Sequence, residues 1–203
     1  MTYEEAMRRF GSDRPDLRFG MELADISDLA ARTDFGVFKG ALDAGGVVRC
    51  IAVPGAAELP RSRTDALADW AKGFGAKGLA VTKVAADNAL ETGIAKFVSP
   101  IAAELIERVG ASEGDLLCFA ADTEAVVDRV LGELRCKMAR ERDMIPADAF
   151  HWLWVVDFPL VEWSAEDGRW YSMHHPFTCP HPEDLDKLAS SPGEVRSRAY
   201  DLV

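Results

Sequence analysis

The sequence predicts a mixed α/β fold of the α+β kind, a regular middle stretch flanked by less regular pieces. Three observations lead there. Between residues 25 and 142, strand-like and helix-like runs alternate in short steps punctuated by glycine. The helix-like runs carry apolar residues on one face. After residue 146 the pattern changes to an aromatic run, a hairpin signal and a stiff loop, Tyr171–Pro180, that holds two of the four histidines.

Residues 2–9 read as a short helix, with Thr2 and Glu5 at the spacing of a capping box. The next ten residues, Phe10–Phe19, break that pattern with Gly11, Pro15 and a mixture of charges. Asp13, Arg14, Asp16 and Arg18 there fit a solvated connector; the competing reading holds them over a site. Asp25–Arg32 is a short helix. Val37–Leu42 and Val47–Val53 read as strands joined through Asp43-Ala44-Gly45-Gly46, whose glycines supply the positive φ of a hairpin turn. Ser62 opens a helix in which Leu67, Trp70, Ala71 and Phe74 fall at i, i+3, i+4 and i+7. Gly75 closes it in the left-handed cap position. Gly78–Val84 and Gly93–Val98 read as strands. Ser99-Pro100 opens a helix with proline in its first turn, Ile101, Leu105, Ile106 and Val109 facing inward and Gly110 at its end. Asp115–Ala121 is a strand. The order strand, helix, strand, strand, helix, strand predicts a compact sheet with helices on one face.

Asp122 is placed to cap a long helix reaching about Arg142, with Val127, Val130, Leu131, Leu134 and Met138 on its core side. Its second half carries Arg135, Lys137, Arg140 and Arg142. These cations suit the negative end of a helix dipole; contact with a phosphate backbone is the alternative. Pro146–Phe150 reads as a turn of helix. Trp152–Phe158 is an unbroken apolar, aromatic and β-branched run, the pattern of a central strand buried on both faces, and Pro159 ends its pairing. Glu162-Trp163 and Arg169-Trp170-Tyr171 flank Asp167-Gly168 as a hairpin. Pro182–Ala189 is a short polar helix and Glu194–Val203 a strand. That strand stops without turn or cap, so the sequence is expected to be a fragment.

Composition narrows the function. An apolar fraction of 48% over 203 residues supports a sizeable core. No apolar run approaches the ~20 residues of a membrane span, and the polar N-terminus is not a signal peptide. A cytoplasmic protein without membrane partners is expected. The net charge of −11 argues against broad affinity for nucleic acid. Cys50, Cys118, Cys136 and Cys179 form no C-x-x-C pair and match no zinc spacing, as for reduced thiols. The middle stretch has no G-x-G-x-x-G and no G-K-[ST], which excludes a mononucleotide loop of either kind. It also lacks histidine, and reads as a binding or spacing module.

The chemistry therefore concentrates in Tyr171-Ser172-Met173-His174-His175-Pro176-Phe177-Thr178-Cys179-Pro180. Adjacent histidines cannot share one face of a strand, so a loop carries them. His174, His175, Cys179 and His181 offer zinc ligands, but four ligands from one proline-locked loop are cramped. No G-x-S-x-G elbow places a serine nucleophile, and no carboxylate pair is marked for acid–base work. The pattern fits ligand-sensing imidazoles on a lid, able to accept from an ammonium group or donate to a carboxylate, with one of the two free to act as a buttress. No catalytic residue, cofactor-binding residue or metal ligand is assigned.

These residues resemble bacterial-type aspartyl-tRNA synthetases over essentially the whole chain. Phe10-Gly11-Ser12-Asp13-Arg14-Pro15-Asp16-Leu17-Arg18 is similar to the family's stretch after its second class-defining motif, where Lys is common at the position of Arg14. Ala44-Gly45-Gly46-Val47-Val48, Gly75–Ala80, Ile94-Ala95-Lys96-Phe97 and Gly114–Leu117 resemble its inserted GAD domain. Leu153–Leu160 resembles the return to the catalytic sheet, and His174-His175-Pro176-Phe177-Thr178 with Arg198–Val203 the active-site loop and the strand after it. The resemblance implies class II antiparallel core segments at 1–25 and 141–203 interrupted by an α/β insert at 26–140. It implies an aspartate–tRNA ligase as parent, using ATP with Mg2+ as substrate, L-aspartate and tRNA(Asp), and forming a homodimer. His174 and His175 are the implied L-aspartate contacts, His175 nearer the ATP phosphates. The anticodon-binding barrel and the three class-defining motifs are absent, so the fragment alone is expected to be inactive and to bind no ATP. The rival is a non-catalytic GAD-type module that binds tRNA or a partner, as in glutamyl-tRNA amidotransferase subunits.

Overall fold

A computed structural model describes residues 1–203. The chain folds as two compact units. The larger holds Arg9–Ser12 and Asp16–Ala149; the smaller holds Met1–Arg8, Asp13–Pro15 and Phe150–Val203. No helix is long and apolar enough to cross a membrane.

In the larger unit a five-stranded antiparallel sheet runs in the order β1-β2-β5-β3-β4, where β1 is Ala24–Asp25, β2 Val47–Val53, β3 Ala80–Val84, β4 Leu90–Glu91 and β5 Leu116–Asp122. β2 and β5 pair along their full length, from Val47↔Asp122 to Val53↔Leu116. Both are apolar at nearly every position, so side chains on both faces need cover. Ile51, Val53, Leu116, Cys118 and Ala120 pack with Leu67, Ala71, Val127, Leu131 and Leu134. On the opposite face Val48, Cys50, Leu117 and Phe119 pack with Leu29, Phe38, Val98 and Leu105. Helices therefore cover both faces, not the single face expected from element order.

The segment expected as a strand at Val37–Leu42 is a helix, Gly36–Asp43. Its inward residues Phe35, Phe38 and Leu42 recur at helical spacing, and Phe38 meets Phe35 edge-on at 4.9 Å. Gly45-Gly46 ends this helix instead of turning a hairpin. The Gly46 amide donates to the Ala41 carbonyl and the Gly45 amide to that of Leu42, each at 2.9 Å, with Gly45 at φ +77°. That is a Schellman cap, which needs the same left-handed glycine as a hairpin does. Gly93–Val98 is likewise not a strand: Gly93 turns the chain at φ +53° and Ala95–Val98 is helical. The helix Ala102–Val109 with its left-handed Gly110 cap and the long helix Glu124–Glu141 stand where the pattern puts them. The helix Arg61–Lys72 is also where expected but ends two residues early: Gly73 caps it in the right-handed region, and Gly75, at φ +98°, lies in the turn beyond instead of closing the helix. Thr123, not Asp122, precedes the long helix, and the Asp122 carboxylate accepts the Thr123 amide instead.

In the smaller unit a helix from Tyr3 starts behind Thr2, whose hydroxyl accepts the Glu5 amide at 3.1 Å. Its apolar centre is Ala6, Val155 and Phe158, with Tyr3 against Phe158 at 5.2 Å. β6 is only Trp154–Val156, paired antiparallel with β9, Tyr200–Leu202. The expected strand buried on both faces is thus one-sided: Val155 is buried while Trp152 and Trp154 are exposed. Pro146–Phe150 forms a turn, not a helix. Glu194–Val203 is not one continuous strand. Pro159 and Pro180 make single bridges to Arg196 and Ser197 before β9 begins. The hairpin is as patterned, β7 Val161–Ser164 against β8 Arg169–Ser172, with Gly168 at φ +62°. The expected helix at Pro182–Ala189 is a 3-10 turn over Pro182–Lys187.

Candidate functional site

The histidine loop leaves β8 and is pinned at its start by the Met173 amide, which donates to the Leu160 carbonyl at 3.2 Å. His174 lies edge-on to buried Phe158, centroids 4.9 Å apart at 82°. His175 Nδ1 accepts the Phe177 amide at 3.2 Å and its carbonyl accepts the Thr178 amide at 2.9 Å. Accepting at Nδ1 places the imidazole proton on Nε2. Phe177 stacks edge-on against His175 at 4.9 Å and is 88% exposed. His174 and His175 are both exposed. The loop thus offers two open imidazoles, one braced by a core aromatic and one by its own backbone.

His181 is separately engaged. Its Nδ1 accepts the Glu183 amide at 3.4 Å and lies 3.7 Å from the Glu183 carboxylate. No group of three or more His, Cys, Asp and Glu side chains is arranged to hold a metal ion.

The return of the loop is organised by a carboxylate. Asp184 is 2% exposed and accepts the Arg196 amide at 3.1 Å, Arg196 Nε at 2.7 Å and Lys187 Nζ at 3.1 Å. The Arg196 guanidinium holds the Asp184 carboxyl well below the usual carboxylate range. Sequence reading missed this residue, because a buried aspartate among exposed polar neighbours leaves no pattern.

Arg135 was also missed as a structural residue. Its side chain is buried and donates to the carbonyls of Asp16, Gly20 and Met21 at 2.9, 2.6 and 3.2 Å. Its guanidinium lies over Phe10 and Phe19 at 4.9 and 4.5 Å. The signal was present: Leu131, Leu134, Arg135 and Met138 fall at i, i+3, i+4 and i+7, which puts a charge inside the apolar stripe. Of the other helix cations, Lys137 pairs with Glu141 and Arg142 with Glu58. In the larger unit, Arg129 and Arg140 alone among the cations have no hydrogen-bond, ion-pair or ring partner. That leaves little free positive charge for a phosphate backbone. In the entrance loop Arg18 forks onto Asp16 at 2.9 and 2.7 Å, and Arg14 lies 3.8 Å from Asp13.

The larger unit is thus an antiparallel sheet covered by helices on both faces, and the smaller unit presents the double-histidine loop. Residues 38–131 match the GAD domain family. Over its whole length the chain is 51% identical to the aspartate–tRNA ligase of Shouchella clausii, covering 35% of that protein. It is 48% identical to the aspartate–tRNA ligase of Agathobacter rectalis and 50% identical to the aspartate–tRNA(Asp/Asn) ligase of Halothermothrix orenii, covering 34% of each. The chain is thus a relative of bacterial aspartate–tRNA ligases with a GAD domain at its centre. It spans about a third of the length of the curated relatives it matches.

Proposed function

We propose that the chain works as part of an aspartate–tRNA ligase, and that His174 and His175 contact L-aspartate. The reading is carried by one observation: the match to such ligases, about half identical overall, covers the whole chain and so includes the histidine loop, not only the GAD domain. In the reaction the aspartate carboxylate attacks the α-phosphate of ATP and releases pyrophosphate. The terminal adenosine of tRNA(Asp) then takes the aspartyl group and releases AMP. ATP enters as substrate with Mg2+. The chain's own part is to present two imidazoles to the aspartate, as fixed donors and acceptors where charge is handled, on a loop able to shield the adenylate from water. We place the catalytic-core segments at 1–25 and 141–203, the insert at 26–140, and the whole enzyme as a cytoplasmic homodimer. The alternative, a non-catalytic module that binds tRNA or a partner, is supported less. It has no use for the histidine loop, and the cations of the larger unit are mostly paired.

The test is replacement. The Shouchella clausii enzyme with its aligned third exchanged for this chain is expected to retain aspartate-dependent ATP–pyrophosphate exchange, and the isolated 203-residue chain to show none. A folded exchange-negative replacement that still binds tRNA would favour the non-catalytic module, and exchange by the isolated chain would end the fragment reading.

A further inference from the structure

Between Ser172 and Glu194 a single side chain is buried, and it is a carboxylate, Asp184. This stretch has no apolar core of its own to set the position of the histidine loop. Its anchor is polar. Arg196 meets Asp184 through its backbone amide, Nε and a terminal nitrogen, and it also reaches Glu183 at 3.0 Å. From that point a short ladder runs back toward the loop. The His181 amide donates to the Arg196 carbonyl at 2.7 Å, Pro180 bridges Ser197, and the Arg198 amide donates to the Cys179 carbonyl at 2.9 Å. The same segment is fixed from the other side, where the Ser197 amide donates to the Phe158 carbonyl at 2.6 Å. Phe158 is the ring that braces His174. Asp157, just before it, is held at φ +58°, a conformation that costs a non-glycine residue and persists where its surroundings enforce it.

We propose that Asp184 and Arg196 form the positioning pair of the histidine loop, setting where His174 stands without touching the ligand. The pair works through backbone geometry. Asp184 fixes the Arg196 amide, and the ladder from Arg196 to Arg198 fixes Cys179, where the loop returns. A buried carboxylate with a full set of donors suits this task, because losing either partner leaves the other charge or its donors unpaired. The consequence for L-aspartate rests on the functional reading above; the consequence for the loop does not.

The experiment uses Asp184→Asn, which keeps shape and removes charge. In the 203-residue chain the four histidines give few imidazole signals. The His174 ring protons are expected to lose the ring-current shift from Phe158, while methyl signals of the larger unit stay in place. In an aspartate–tRNA ligase carrying this segment, the same change is expected to raise the aspartate KM roughly tenfold with the ATP KM unchanged. Arg196→Lys, which keeps the charge and loses the fork, is expected to fall between wild type and Asp184→Asn. An unaltered His174 signal in Asp184→Asn overturns the positioning pair. A lost signal with an unaltered aspartate KM leaves the pair standing and rejects His174 as the aspartate contact.

Discussion

At the scale of single residues, two buried carboxylates respond to pH in opposite senses. Asp128 in the long helix faces Arg49 of β2, with Glu124 one turn away and Asp25 on the neighbouring strand. Burial raises its carboxyl from 3.8 to about 6, partly opposed by Arg49 and reinforced by Glu124. The folded form therefore holds a proton that the unfolded chain has already released. The stabilisation is complete below pH 3.8 and is lost as pH rises through about 6. At 1.4 kcal/mol per unit the swing is at most about 3 kcal/mol, and Asp128→Asn is expected to flatten it in denaturant melts followed from pH 4 to 7. Asp184 runs the other way: Arg196 lowers its carboxyl, so its contribution is present above the ordinary aspartate range and fades only in strong acid. Neither behaviour is legible from sequence. Asp128, Arg135 and Asp184 look like surface charges until the fold wraps them, and only Arg135 betrays itself by standing in an apolar stripe.

At the scale of elements, the errors share a cause. Short apolar runs and glycine pairs are consistent with more than one structure. Val37–Leu42 carries strand-like residues, yet its inward set has helical spacing, and Gly45-Gly46 serves a helix end as readily as a hairpin. Trp152–Phe158 shows the pattern of a doubly buried strand, but here Val155 and Phe158 alone are buried. Elements with long, regular periodicity, such as Glu124–Glu141, were legible in full. That helix contains one local violation with a reason. Gly132 sits where an added Cβ would stand 2.6 Å from the Gly11 carbonyl oxygen, and Gly11 itself is at φ +64°. The loop backbone lies directly on the helix because both residues lack side chains. Gly132→Ala gains about 1 kcal/mol in helix propensity. It is nevertheless expected to destabilise the unit by about 1 kcal/mol net, since overpacking costs typically 1–3 kcal/mol and the opposing atom is backbone. Chemical denaturation of the variant checks the sign; a stabilised Gly132→Ala would mean that the contact gives way.

At the scale of the whole molecule, the relatives were legible by resemblance and not by chemistry, and the assignment of His174 and His175 to L-aspartate is our proposal. Two adjacent histidines fix a loop but not a ligand, and composition left metal, lid and buttress open. What points to the ligase relatives is the match over the whole chain. The structure adds that His174 and His175 stand open, one against Phe158 and one folded on its own loop. It also shows that the segment holding them is tied by Asp184 in place of an apolar core. The most direct measurement is aspartate-dependent ATP–pyrophosphate exchange by an aspartate–tRNA ligase carrying this segment, with and without His174→Ala. A drop of at least about tenfold in kcat/KM for aspartate, with the ATP KM and the melting temperature unchanged, is the predicted result. An unchanged aspartate KM and kcat would contradict the assignment of the loop to L-aspartate.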